Sequence, residues 1–572
     1  MIKDLVTINK NYKTLKKLVF ALCFWAGLSH AQAQTVQPYR EQLLLVESKL
    51  KSGDFAQALR EMDNITDKYP QAADVYYAKA LVLGQTGDYD GALINAKLAY
   101  QYDPSLAYAN YVLDLYRAKQ NIPDAIALLK EMRAAHPQVS SISRDLISLF
   151  SKQGNMDEVT AIYQDELKKG YGSDTLEVVM GEHYIAHEKY NDAVVLLRPL
   201  AGKSTLREVY SALGYAYLQD KKTKQALAVL AQGMKITNDP ILNLDLAAAY
   251  KEDHKSKLAF DALLKAFESN KVEFMDKHRI MLNLLVPDVK DFSLDQVQLL
   301  ANALVLVHPR YAESHVMKGE VLWRRGKMTE ARAMFMTAVG LNPKHIDAWR
   351  MLINTDLGLN EVDQAIRHGE ESLTVNPGNP MLLYFTGLAY MVKENFDRSR
   401  QFLELALDHS EEENSYLRSI IYSALGDLYH QLKMESASDV AYTESIALDS
   451  TNVTAMNNLA YYLSLRKHDL DKAAALSKKS NELEPNSPTF QDTYAWVLFQ
   501  QEKYQEALIW IEKAVKASAV PSAVLLEHYG DILSKVGKQK EAIKQWEKAL
   551  TLGVGIDKEK VQLKIKQKNY VE

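Results

Sequence analysis

The chain is almost without cysteine: among 572 residues the only one is Cys23. No internal disulfide framework, thiol couple or Cys-based metal site follows from a single cysteine. Apolar runs of membrane length are missing too. Leu18–Leu28 is 11 residues long, whereas a helix needs roughly 20 to span a bilayer. Charge of one sign is also scarce. With 68 basic and 73 acidic residues the net charge is −5, which gives no reason to invoke nucleic acid or an acidic membrane as partner. The sequence has no G-x-x-x-x-G-K-[ST] phosphate loop, no G-x-S-x-G nucleophile elbow and no strand–Gly-rich–helix unit. Strand-like patterning is confined to scattered short runs. These absences leave no conventional catalytic centre and no cofactor to assign, so the expectation is a non-enzyme.

What the sequence does contain is periodicity. Apolar residues make up 47% of it, the content of a folded protein, and 572 residues call for several domains or one repeat array. The clearest stretch is Ser487 to Ser518. It reads as two amphipathic helices, from about Thr489 to Gln500 and from about Tyr504 to Lys516. Small residues (Ala495, Ala507, Ala514) sit where the two must touch, and Leu498, Tyr504, Leu508, Ile511 and Val515 surround them at a 3.6-residue period. Such a hairpin cannot bury its apolar face alone and needs neighbours on either side. The pattern recurs at a small residue opening each second helix: Ala58, Ala92, Ala125, Val159, Ala193, Ala226, Ala259, a weak Val297, Ala331, Ala365, Ser399, Ser438, Ala473, Ala507 and Ala542. Pro70, Pro104, Pro137, Pro309, Pro343, Pro377 and Pro485 each lie twelve residues later. Proline there closes a helix, because it lacks an amide hydrogen and disfavours helix in the residue before it. About twelve residues before the landmark a Gly or Ala is common, as at Gly181, Gly214, Gly319, Gly387, Gly426, Ala460 and Gly530.

The 34-residue period, with its Gly, aromatic, Ala and Pro positions, resembles the tetratricopeptide repeat (TPR) family over roughly Tyr39 to Leu552. The resemblance implies an all-α fold: a right-handed superhelical solenoid of about fifteen helix-turn-helix hairpins, with the first helices lining a concave groove. Departures are local. Ile147 and Val159 occupy usually small positions, and 271–309 lacks the Gly-aromatic core and carries an irregular VPDVKDFS segment. The 32 tyrosines fit a family that uses Tyr at helix contacts. The block from Ala455 to Leu533 is similar to the end of exported bacterial TPR proteins, particularly of the Bacteroidetes type, and implies an envelope location.

The first 33 residues read as a signal peptide. Lys10, Lys13, Lys16 and Lys17 precede the apolar run, and Ala31-Gln32-Ala33 offers a cleavage site. The expected location is periplasmic, with no stable membrane span after cleavage; an uncleaved inner-membrane anchor is the alternative. The remaining divisions are an N-terminal array at 39–270, a degenerate repeat or joint at 271–309, a C-terminal array at 312–552, and a capping helix and tail at 553–572. Polar turns such as Ser52-Gly53-Asp54, Thr86-Gly87-Asp88 and Gln153-Gly154-Asn155 end one helix and cap the next. Ser410-Glu411-Glu412-Glu413-Asn414 reads as a solvated connector. In the tail, Val561, Leu563 and Ile565 are expected to cover the end of the stack while the lysines face water.

His183 and His187 are four apart on one helix, beside Glu182 and Glu188. The order H-Y-I-A-H-E is not a zinc-protease motif and no third ligand is evident, so no metal site is assigned. Carried onto this sequence, the family's concave positions in the C-terminal array are Asp427 and His430, Asn457 and Tyr461, Asp492 and Trp496, and Glu527 and Asp531. They form an acidic and aromatic strip. Its acids would pair with Lys or Arg of a protein or peptide partner, and Tyr461 and Trp496 would anchor its side chains. Asn457 and Asn458 lack the cationic neighbours of the family's carboxylate clamp. The expected function is a protein–protein scaffold in the envelope. A chaperone-like carrier of unfolded clients and a regulatory subunit of a secretion or polysaccharide-export complex are the alternatives.

Overall fold

In a computed structural model the described residues are 38–287, 289–411 and 415–571. The expected signal peptide, with Cys23, and residues 412–414 of the acidic connector lie outside them. The described residues form 31 α-helices and one short 3-10 turn, Arg198–Leu200, with no strand. None of these helices is long and apolar enough to cross a membrane. The chain is an all-α repeat solenoid. It divides into two compact units, one ending at Ala266 and the other beginning at Phe267.

The repeat landmarks explain the helices. All fifteen are the fourth residue of a helix and all are at most 2% exposed. In the organising hairpin the helices are Pro488–Gln500 and Tyr504–Ala517, within a residue of expectation, and Ala495, Ala507 and Ala514 are completely buried. Each of the seven prolines lies two residues beyond the end of a second helix.

The turns inside the hairpins share one device. In fourteen of them a residue with positive φ lies five residues ahead of the landmark, or six in the hairpin of Ala473. Glycine fills five of these positions, for example Gly87 at φ 89° and Gly326 at φ 73°. The other nine are polar residues such as Gln120, Lys433 and Glu502, which adopt the left-handed region at some cost. Asp54, Asp88 and Asn155 then cap the second helix, accepting from the amides of Gln57, Gly91 and Glu158 at 3.1, 2.9 and 3.3 Å.

The glycine of the first helix takes the large residue four places after the landmark. A Cβ on Gly214 would lie 2.7 Å from Leu230, and one on Gly426 2.8 Å from the Tyr442 ring. The two serine landmarks satisfy their buried hydroxyls on the same glycines: Ser399 donates to the Gly387 carbonyl at 2.9 Å and Ser438 to the Gly426 carbonyl at 2.8 Å.

The degenerate repeat belongs to the second unit. Its helices, Phe274–Leu284 and Leu294–Val307, are joined by a longer link, and Ser293 and Gln296 form a capping box at the second. Val297 keeps its buried place. In the space the missing core would fill, Phe274 stacks on Tyr311 at 4.0 Å. Lys277 is fully buried there, its Nζ 2.7 Å from the Ser269 carbonyl and 3.0 Å from His308 Nε2. Burial pushes that ammonium down to about 8.

Candidate interaction surface

The eight strip residues lie on four successive first helices: Ser415–Gln431, Val453–Leu465, Pro488–Gln500 and Ala523–Lys535. Their side chains join the first of these helices to the second and the third to the fourth. Asp427 accepts from the Tyr442 hydroxyl of its own hairpin and from Asn458 Nδ2 of the next at 3.0 Å. Burial raises its carboxyl, against the pull of those hydrogen bonds. His430 stacks on the Tyr462 ring at 3.6 Å and 18°, and its Nδ1 lies 3.2 Å from Glu435. Arg466 holds the same glutamate at 2.9 Å and Asp439 at 2.6 Å.

Asn457 is 4% exposed; its amide meets Asn458 at 3.3 Å, and its Oδ1 is buried without a partner. Tyr461 is half-buried. Burial, and then the charges of Asp492 and Glu527, push its hydroxyl up to about 12.

The next cluster centres on His528, which sequence reasoning missed. It is buried, and its Nδ1 lies 2.9 Å from Asp492 Oδ1. Its ring stacks on Trp496 at 4.1 Å and 16°. Burial disfavours the imidazolium, but Asp492, Asp531 and Glu527 outweigh it and raise the histidine above its usual range. Trp496 differs from the exposed anchor that was expected. It is 7% exposed and also stacks on Phe499 at 4.8 Å, within an apolar cluster containing Ala495, Ala507 and Ile511. The family resemblance assigns the indole to the groove, but the His528 and Phe499 rings stack on it and it is buried.

Glu527 and Asp531 are brought together by a second missed residue. Lys564, on the terminal helix Lys558–Gln567, reaches both carboxylates at 2.7 Å. Asp531 also accepts from Trp546 Nε1 at 2.9 Å. Burial pushes Asp531 up to about 6, against the opposing charge of Lys564. Lys564 is only 1% exposed and Leu563 is 39% exposed. Lys558, Lys566 and Lys568 face water as expected, but Lys564 does not, and Leu563 does not cover the stack. Val561 does cover it and is fully buried. The signal was the i, i+3 spacing of Val561 and Lys564, which puts both on one face of a helix.

The strip is thus an internally paired ladder: Asp427 to Asn458, Asp492 to His528, and Glu527 and Asp531 to Lys564. Asn457 joins none of these pairs. Asp427, His430, Tyr461, Asp492 and Glu527 remain partly open to solvent; of these Asp427, His430 and Tyr461 lie away from the His528 and Lys564 pairs and offer an acceptor and aromatic faces.

In the first unit tyrosines meet one another across first helices: Tyr77 lies 4.8 Å from Tyr108 and 5.6 Å from Tyr111. His183 and His187 stand 4.5 Å apart. Each has a ring nitrogen engaged, His183 with Ser151 at 2.6 Å and His187 with the His183 carbonyl at 2.9 Å. His183 is buried, and burial followed by the charges of His187 and Lys189 lowers it to about 4. No cluster of three metal-ligating side chains occurs among the described residues.

Two profiles of the tetratricopeptide repeat match the sequence, at residues 43–107 and 312–345. The human protein O-mannosyl-transferase TMTC3 is 19% identical over 280 residues, which cover 46% of this chain and 30% of that protein. The chain therefore spans about a third of the length of this curated relative. Among solved structures, the APC/C hetero-tetramer Cut9-Hcn1 is 12% identical at a TM-score of 0.41, covering 87% of this chain and 96% of that one. A tetratricopeptide repeat protein from Parabacteroides merdae is 17% identical at a TM-score of 0.35, covering 45% and 98%.

Proposed function

Because this chain is a tetratricopeptide-repeat protein, we propose that it is a non-enzymatic scaffold that binds protein or peptide partners along its first helices in the bacterial cell envelope. The observation that carries the reading is the row of first helices whose polar and aromatic side chains interlock. The links within the pairs of helices are in place before a partner arrives, so binding orders little on the scaffold's side and many weak contacts add up. The half-open residues Asp427, His430 and Tyr461 are the contact points. The envelope location rests on the leader-like first 33 residues and on the resemblance of the Ala455–Leu533 block to exported bacterial repeat proteins. The transferase activity in the name of the human relative belongs to that protein.

The test is affinity purification after crosslinking from the envelope of the host, with wild type beside a His430→Ala, Tyr461→Ala variant. A short, reproducible set of partners lost in the variant supports the scaffold. A broad smear of clients points to a carrier, and stable recovery of catalytic chains to a regulatory subunit. Recovery from cytosol with the leader still attached overturns the location.

A further inference from the structure

A helix that serves only to close the end of a stack turns its apolar side inward and its charges outward. Val561 obeys that rule and Lys564 breaks it. The Lys564 ammonium is buried, and burying a charge is unfavourable unless partners meet it. Those partners, Glu527 and Asp531 at 2.7 Å each, occupy first-helix positions. The tail does not stop at the last hairpin. The Tyr570 amide donates to Ser534 Oγ at 3.0 Å. Its ring meets Phe499, one hairpin further back, edge-on at 5.3 Å, with Lys535 Nζ over it at 4.8 Å. Phe499 in turn stacks on Trp496, whose Nε1 is buried without a partner. The terminal helix rests on the second helix of the last hairpin, Gln539–Leu552, while Lys564 reaches the first helix Ala523–Lys535 and Tyr570 reaches both that helix and Pro488–Gln500 one hairpin back, as anchor side chains of a bound segment would.

We propose that residues 558–571 are a built-in occupant of this part of the first-helix face, and that the partner displacing them carries a lysine and an aromatic ring spaced as Lys564 and Tyr570 are. This rests on the scaffold reading and specifies its partner. The lysine enters between Glu527 and Asp531, and the ring lies against Phe499. The tail sets a threshold: a weaker segment leaves it seated, and a stronger one lifts it.

The probe is a fluorescent peptide of residues 558–571, titrated by anisotropy against the full chain. The opened variant is the full chain with Lys564→Gln and Tyr570→Ala. It is expected to bind the probe at least about tenfold more tightly than wild type, and a Lys564→Gln probe is expected to lose about as much, as when one partner of a buried charge pair is removed. Equal binding to wild type and variant, or none to either, overturns the proposal. So does a loss of helical circular dichroism greater than release of the ten-residue terminal helix accounts for, because a cap whose release unfolds the hairpins beneath it is not an occupant. If the probe fails while crosslinked partners are still recovered, the scaffold reading stands and this inference falls.

Discussion

Trp496 and His528 show how far one residue's role depends on what closes over it. The family resemblance assigned Trp496 to the groove as an anchor; it could not say that His528 and Phe499 would stack on the indole, because stacking across hairpins leaves no periodic trace. Trp496→Ala removes a buried aromatic and is expected to cost about 3–5 kcal/mol, read as a lower urea midpoint. His528 makes the same region sensitive to pH. Asp492, with Glu527 and Asp531, raises its folded-state pKa. The stability it contributes is therefore complete below about 6.5, the unfolded value, and is lost as pH rises through the higher folded one. Asp531, up at about 6, acts in the same direction at lower pH. Its contribution is complete below the ordinary carboxylate range and lost as pH rises through about 6. His183 has the opposite sign, since a histidine lowered to about 4 stabilises above 6.5 and ceases to as pH falls toward 4. Hydrogen exchange should show protection of Ala523–Lys535 declining from pH 6 to 8 in wild type and flatter in His528→Gln. Protection of Asp174–Ala186 should instead decline on acidification.

At the scale of the helix and hairpin the sequence was most legible. Every landmark is buried, and every marked proline falls just past a helix end. These features depend on local backbone chemistry and on one helix-to-helix spacing, both of which repeat. The degenerate repeat was less legible because Lys277, Phe274 and Tyr311 fill it by contacts that no other hairpin repeats. Two glycine substitutions separate the causes that shape a hairpin. Gly426→Ala drives a methyl into the Tyr442 ring, which is fully buried and tied to Asp427, and is expected to cost about 1–3 kcal/mol. Gly326→Ala meets no atom within 4 Å, so its expected cost of about 1–2 kcal/mol is the left-handed backbone alone. The sites are in different hairpins, so the two costs should add in urea unfolding.

On the scale of the whole molecule, the substantial helix contacts within each unit join a helix to its next or next-but-one neighbour. Stability is then close to a sum of hairpin and interface contributions. Ala507→Leu, at a fully buried landmark, is expected to cost about 1–3 kcal/mol by overpacking. Hydrogen exchange should register the loss in 487–518 and the flanking hairpins, with amides of the first unit unchanged; a uniform loss along the chain would contradict local coupling.

The same neighbour-only connectivity bears on how the molecule responds to tension. A protein held at both ends, between a fixed structure and a moving partner, would not rupture in one event. It would yield hairpin by hairpin, each lengthening the chain by roughly 10 nm at about 3.5 Å per extended residue, and each able to refold against a neighbour still in place. A chain of this construction is a series of small reversible links, and it keeps its hold while it stretches.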